Sequence, residues 1–97
     1  MNDKVLQKVV VVESALARAS LADEECRRHL NTLLTEQRLQ ISMYDPNVDN
    51  EEDARVEEYE LHELIESVQN RLRVLENEMM ELNDMRKKLC NELLNGN

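Results

Sequence analysis

The stretch that decides the fold is LHELIESVQNRLRVLENEMMELNDMRKKLCNEL, residues 61–93, in which apolar residues recur at alternating steps of three and four. The ten repeat positions are Leu61, Ile65, Val68, Leu72, Leu75, Met79, Leu82, Arg86, Leu89 and Leu93. Nine of the ten are apolar, and Arg86 is the exception. A 3.5-residue repeat held over this length is typical of a helix that packs one narrow stripe against another helix.

The first half of the chain carries the same spacing less regularly. Eight of its eleven repeat positions are apolar; the positions are Val5, Val9, Val12, Leu16, Ala19, Asp23, Cys26, Leu30, Leu33, Gln37 and Gln40. Leu34 and Ile41 sit one position later than the strict repeat, which indicates a drift toward the 3.6-residue period of an unsupercoiled helix. The pattern predicts a first helix over about 3–43.

A turn is predicted between the two stripes, over residues 44–49. Pro46 removes a helical hydrogen bond and disfavours the helical conformation at Asp45. Asp49 or Asn50 can accept the free amide protons at the start of a following helix, and acidic residues directly after them suit its dipole. We therefore expect a second helix over about 50–95.

The composition excludes folds that need frequent turns or phosphate-binding loops. The 97-residue chain has one Gly and two aromatic residues, both Tyr, whereas β-rich and α/β nucleotide-binding domains need more of these types. Charged residues at 34% beside hydrophobic residues at 41% are typical of long helices. The sequence contains no P-loop, G-x-S-x-G or H-E-x-x-H motif, so we expect no enzymatic activity and no cofactor.

Two architectures are consistent with these helices. The first is an all-α fold in which two long helices form an antiparallel coiled-coil hairpin, with residues 1–97 as a single coiled-coil unit that dimerises. The second is a parallel rod, continuous except for a defect at Pro46, because the heptad phase runs through the turn unbroken. The rod would place Asn47, Glu51 and Glu58 at buried seam positions, which is unfavourable. The sequence therefore favours the hairpin.

In a hairpin, the start of the first helix and the end of the second lie side by side, and both are unusually apolar. A helix that is apolar on more than one face must bury more than one face. A second copy of the chain is the simplest partner, so we expect a homodimer. The residues of this apolar end group are Leu6, Val10, Val11, Leu93 and Leu94.

Negative charge is concentrated at the predicted turn. The net charge of the chain is −9, and residues 45–60 contain eight acidic residues and one basic residue. These residues are either a solvated helix start that suits the helix dipole or an acidic tip that contacts a basic protein surface. The acidic tip consists of Glu51, Glu52, Asp53, Glu57 and Glu58.

The same acidity disfavours nucleic acid as a partner, because binding phosphates requires clustered Lys and Arg. The longest apolar run is far shorter than the roughly 18 residues of a membrane span, and no signal peptide is evident. We expect a cytoplasmic protein with no membrane partner.

Several polar residues lie near the predicted seam. Cys26, His29 and His62 lie near one another in a hairpin, but a zinc site needs three or four converging ligands, so we predict no metal and a core position for Cys26. Asp23 and Arg71 would face each other. They either form a partly buried pair that sets the register of the hairpin or both reach solvent.

The segment Glu25–Leu34, with the sequence ECRRHLNTLL, resembles a Glu-Ala-Arg-Arg-His-Leu-Asn segment followed by Leu-Leu in the stalk of kinesin-4 family motors, with Cys26 in place of the alanine. Ile65–Ser67 and Leu75–Met79 resemble a second stalk helix of that family. The resemblance implies a regulatory stalk segment of a microtubule motor, associated with the cytoskeleton. Such a segment is autoinhibitory when it folds back on its partner, the motor domain, or it acts by mediating dimerisation. No motor head is present in this sequence, so any ATPase activity would belong to other parts of such a protein.

The sequence thus predicts a helical hairpin for protein interaction and dimerisation. The alternative function is a structural scaffold or spacer, in which the rod sets a distance and the acidic residues only keep it soluble.

Overall fold

The computed structural model describes residues 3–95, which form two long helices and one turn. Helix α1 spans Asp3–Met43 and helix α2 spans Glu51–Asn95, and the described residues contain no strand. Both helices begin and end within about one residue of the bounds expected from their stripes and caps. The chain is an all-α antiparallel helical hairpin.

The seam between the helices follows the 3.5-residue repeat. All ten repeat positions of α2 are buried or half-buried, and so are ten of the eleven positions of α1. Gln40, in the last turn of α1, is exposed, as is Ile41. Leu34, the other residue that sits one position late, is half-buried.

The helix contacts group into two compact units, and each helix contributes to both. The turn unit is Glu25–Leu72, and the terminal unit contains the described residues up to Glu24 and from Arg73 onward. Because the contacts separate in this way, the single coiled-coil unit expected from the sequence stays a prediction.

The core of the turn unit is a cluster of four buried side chains with three half-buried neighbours. One helix supplies Leu33 and the other supplies Leu61, Ile65 and Val68. Cys26, Leu30 and Leu34 pack against this cluster from α1. Apolar contact across the seam therefore contributes to holding the two helices together here.

On its α1 side, the terminal unit buries smaller side chains than the turn unit does. Val12 and Ala19 of α1 and Leu75 of α2 are its buried apolar residues. Arg86, the polar member of the α2 stripe, forms an ion pair with Glu13 at 3.6 Å, and both side chains remain partly exposed. An exposed pair of this kind contributes at most about 1 kcal/mol, so its main effect is to give a polar seam position a partner.

Asn50 caps the start of α2. Its side-chain Oδ1 accepts hydrogen bonds from the backbone N–H groups of Glu52, at 2.9 Å, and Asp53, at 3.4 Å. Its carbonyl accepts the first helical hydrogen bond, from Ala54, at 3.0 Å. The cap satisfies amide groups that have no partner inside the helix, an effect worth about 1 kcal/mol.

Two aspartates close the turn before α2. The carbonyl of Asp45 accepts hydrogen bonds from the N–H groups of Val48, at 3.1 Å, and Asp49, at 2.8 Å. The carboxylate of Asp49 accepts the N–H of Asp45, and the carboxylate of Asp45 accepts the N–H of Asn47, both at 2.9 Å. Pro46 lies inside this loop, where its missing N–H costs nothing.

Candidate interaction surfaces

The apolar end group lies in the terminal unit, and most of it faces solvent. Leu6, Val10, Val11 and Leu94 are exposed, and Leu94 retains 84% of its accessible surface. Leu93 is half-buried because it occupies a seam position. Four of the five residues are therefore accessible to a partner, although their role in binding stays a prediction.

The run Val9–Val12 contributes both to the seam and to the exposed apolar end group. The side chains of four consecutive helical residues together cover most of the helix circumference, because each residue is rotated by about 100° from the one before it. Val12 is buried at 7% exposure and Val9 is half-buried in the seam, whereas Val11 is 64% exposed. The seam thus covers only part of the apolar surface that this segment presents.

Sequence reasoning missed that an exposed, uncharged surface continues along α1 from the apolar end group. Val10, Ser14, Ala17 and Leu21 follow one another at steps of four, three and four, and all four are exposed. We call these four residues the outer face. Their spacing could have been read from the sequence, but the more regular seam pattern obscured it.

Charge is sparse around the outer face. Among residues 5–22 only Lys8, Glu13 and Arg18 are charged, and none of them belongs to the outer face. A solvent-facing helix surface usually carries Lys, Glu or Arg at most such positions, so a run without charge is typical of a surface that packs against another protein.

The acidic tip occupies the first two turns of α2 and is exposed throughout. Arg55 forms an ion pair with Glu51 at 2.7 Å, one turn apart on the same helix. Neither Glu57 nor Glu58 forms an ion pair with any residue from 3 to 95. The tip therefore presents a strongly negative surface beside the turn.

A groove lies between the last turns of α1 and the first turns of α2, with a volume of about 880 Å³. It forms because the repeat positions there are Gln37 and Gln40 on α1 and Ala54 and Glu58 on α2, which include no large apolar side chain to fill the space. Exposed apolar side chains line it, namely Ile41, Met43, Tyr44 and Val48. We call this feature the turn groove.

The remaining candidate residues do not assemble into a chemical site. Cys26 is half-buried against the core of the turn unit, as predicted, while His29 and His62 are exposed. Within residues 3–95 no group of three or more His, Cys, Asp or Glu side chains could hold a metal ion. Cys26 and Cys90 are both free thiols.

The two residues expected to set the register lie in different units. Asp23 is half-buried in the terminal unit, and its Oδ1 atom is buried. Arg71 is exposed and lies in the turn unit. A register-setting pair between them stays a prediction.

Comparison with protein-family models, with curated protein sequences and with solved structures gave no match for this chain. In the part of the chain that the structure describes, neither helix has a stretch long and apolar enough to cross a lipid bilayer. The exposed surfaces of the hairpin are therefore the basis for proposing a function.

Proposed function

We propose that this chain is a non-enzymatic protein-interaction module that forms a homodimer through the outer face of α1. The observation that carries the proposal is the uncharged run of Val10, Ser14, Ala17 and Leu21, exposed on a helix whose seam is already covered. Leu6 and Val11, beside the outer face, extend the apolar surface.

The amount of exposed surface supports a partner. The chain exposes 7756 Å². A folded monomer of 11.4 kDa is expected to expose about 5,800 Å², so the chain leaves roughly 2,000 Å² more surface in water than a typical protein of its mass. A standard protein interface buries about 600–1,000 Å² on each partner, so a homodimer would remove about a third to a half of this excess from each chain.

The charge distribution favours the outer face over the acidic tip as the contact between copies. Two copies of the acidic tip would bring like charges together, which costs free energy. The outer face carries no charge, so two copies can pack there without repulsion. Ser14 and Ala17, in its middle, are small enough to let two helices approach closely, while Val10 and Leu21 provide apolar contact at either side.

The association can be tested by changing two exposed residues. Val10→Asp with Leu21→Asp places charge on the outer face without touching the seam, so the helical circular dichroism should stay unchanged. Light scattering at about 100 μM chain should give twice 11.4 kDa for the unmodified protein and 11.4 kDa for the variant, because the interface would have to bury unpaired charge.

The matched control is Leu39→Asp with Val56→Asp, which changes two apolar residues of similar exposure in the turn unit. This control should keep the dimer mass. The proposal is wrong if the unmodified chain is a monomer at this concentration, or if the outer-face variant keeps the dimer mass.

We further propose that the module is a regulatory stalk segment of a microtubule motor, acting at the cytoskeleton. The support is the resemblance of Glu25–Leu34 to kinesin-4 stalks and the exposure of the acidic tip, which suits the basic microtubule-facing surface of a motor domain. This extension is separate from the homodimer. It rests on residues of the turn unit, whereas the outer face belongs to the terminal unit.

A further inference from the structure

We infer that the turn groove is a docking site for a basic amphipathic helix of a partner protein. This inference rests on the proposed role of the chain as an interaction module, but it uses a different surface from the outer face. Its basis is the combination of exposed apolar side chains and unbalanced negative charge around one groove.

The apolar part of the groove has no seam function. Ile41 and Val48 retain 70% and 80% of their accessible surface, so neither contributes to the core of the turn unit. Met43 and Tyr44 line the same groove and are also exposed. Four large apolar side chains beside one open space can surround one or two apolar side chains of a ligand, as in helix-in-groove recognition.

The rim of the groove identifies the ligand as basic. Five acidic residues line it, namely Asp49, Glu51, Asp53, Glu57 and Glu58. The one basic residue among the lining side chains, Arg55, is engaged by Glu51. A ligand with Lys or Arg on both sides of an apolar stripe would therefore find apolar and negative partners together.

The negative charge of the rim excludes other classes of ligand that could fill an apolar groove. A second copy of the acidic tip carries like charge and would be repelled, and nucleic acid and anionic lipid surfaces would be repelled for the same reason. A basic amphipathic helix is the partner that satisfies both features of the site.

The side chains between the two helices at the bottom of the turn groove allow a ligand helix to approach closely. Gln37 and Ala54 are half-buried and line the groove, one from each helix. Neither side chain is large and apolar, so the space between the helix ends stays open. Glutamine can also donate and accept hydrogen bonds with a ligand.

The binding experiment uses the full chain and a fluorescent synthetic helix of about five turns, with Leu on one face and Lys on the others. A control peptide has the same composition with the Leu residues shuffled off one face. Fluorescence anisotropy should show binding of the amphipathic peptide, at least about tenfold weaker binding of the shuffled peptide, and a loss of affinity as salt rises.

Two variant pairs and two matched controls locate the site. The double variant Ile41→Ser, Val48→Ser removes part of the apolar lining. The double variant Glu57→Gln, Glu58→Gln removes charge from the rim. Each double variant should weaken peptide binding at least about tenfold. Val56→Ser with Tyr59→Ser, and Glu63→Gln with Glu66→Gln, change exposed residues of α2 outside the groove and should weaken binding less than about twofold.

Equal effects of the groove variants and their controls would overturn the inference, as would equal binding of the shuffled peptide. A groove variant that halves the mass in light scattering would also overturn it, because the occupant would then be a second copy. The Val10→Asp, Leu21→Asp variant separates this test from the homodimer, since it should bind the peptide with unchanged affinity.

Discussion

Leu61→Ala is expected to lower the free energy of unfolding by about 2–5 kcal/mol, the usual cost of removing a large apolar side chain from a core. Leu61 is 6% exposed and belongs to the cluster that joins the helices in the turn unit. The unfolding of a chain with so few buried residues depends strongly on each of them. Urea denaturation followed by helical circular dichroism, at one fixed chain concentration, measures the effect.

The control is Leu64→Ala, three residues along the same helix. Leu64 is 51% exposed and lies outside the core cluster, so the same chemical change should alter stability by less than about 0.5 kcal/mol. Because both variants replace Leu with Ala, the difference between them reports the packing of the seam alone. Equal effects of the two substitutions would contradict the seam described here.

The second large effect is expected from Val12→Asp. Val12 is buried in the terminal unit, and a carboxylate there would lose its hydration without gaining a partner, which costs more than about 3 kcal/mol. Hydrogen exchange of the backbone amides in residues 3–24 should therefore become more than about a hundredfold faster, because it reports local opening of this unit.

Val11→Asp is the matched control, since it introduces the same residue one position earlier. Val11 is exposed, so amide exchange in residues 3–24 should change by less than about threefold. Both variants are made in the Val10→Asp, Leu21→Asp background, so that loss of the homodimer, whose outer face Val11 borders, does not itself change the exchange rates. Fast exchange in both variants would mean that the terminal unit does not have the seam assigned to it.

Much of the fold could be predicted from the sequence, because the stripes and the turn residues agree. The seam of α2 follows the repeat at every position from Leu61 to Leu93, and Arg86 is accommodated by its pairing with Glu13. Asn50 fixes the helix start and Asp45 closes the turn through local hydrogen bonding, which depends only on near neighbours.

The repeat was less informative near the turn. Gln40 follows the spacing but is exposed, since a repeat position is buried only where the opposite helix supplies apolar surface. The opposite positions, Ala54 and Glu58, supply little. The resulting turn groove depends on how the helix ends pack together, so sequence spacing alone did not predict it.

The candidate interaction surfaces were predicted only in part. The apolar end group and the acidic tip were identified from where apolar and acidic residues cluster along the chain, and most of their residues are exposed. The sequence also contains the spacing of Ser14, Ala17 and Leu21, but these residues were missed because the more regular and more apolar seam pattern obscured them. The identity of a partner depends on a second molecule, which one sequence does not describe.

The central claim is that the chain folds back on itself, and the distance between two spin labels in the turn unit tests it most directly. The labels are attached at two exposed positions through Arg28→Cys and Gln69→Cys. The native thiols are removed by Cys26→Ala and Cys90→Ser. The labelled chain is diluted with unlabelled chain, so that only distances within one chain are measured. Two packed helices lie about 8–10 Å apart, so with label linkers we predict a distance below about 30 Å. A distance near 60 Å, the length of roughly 41 residues in one continuous helix, would contradict the hairpin.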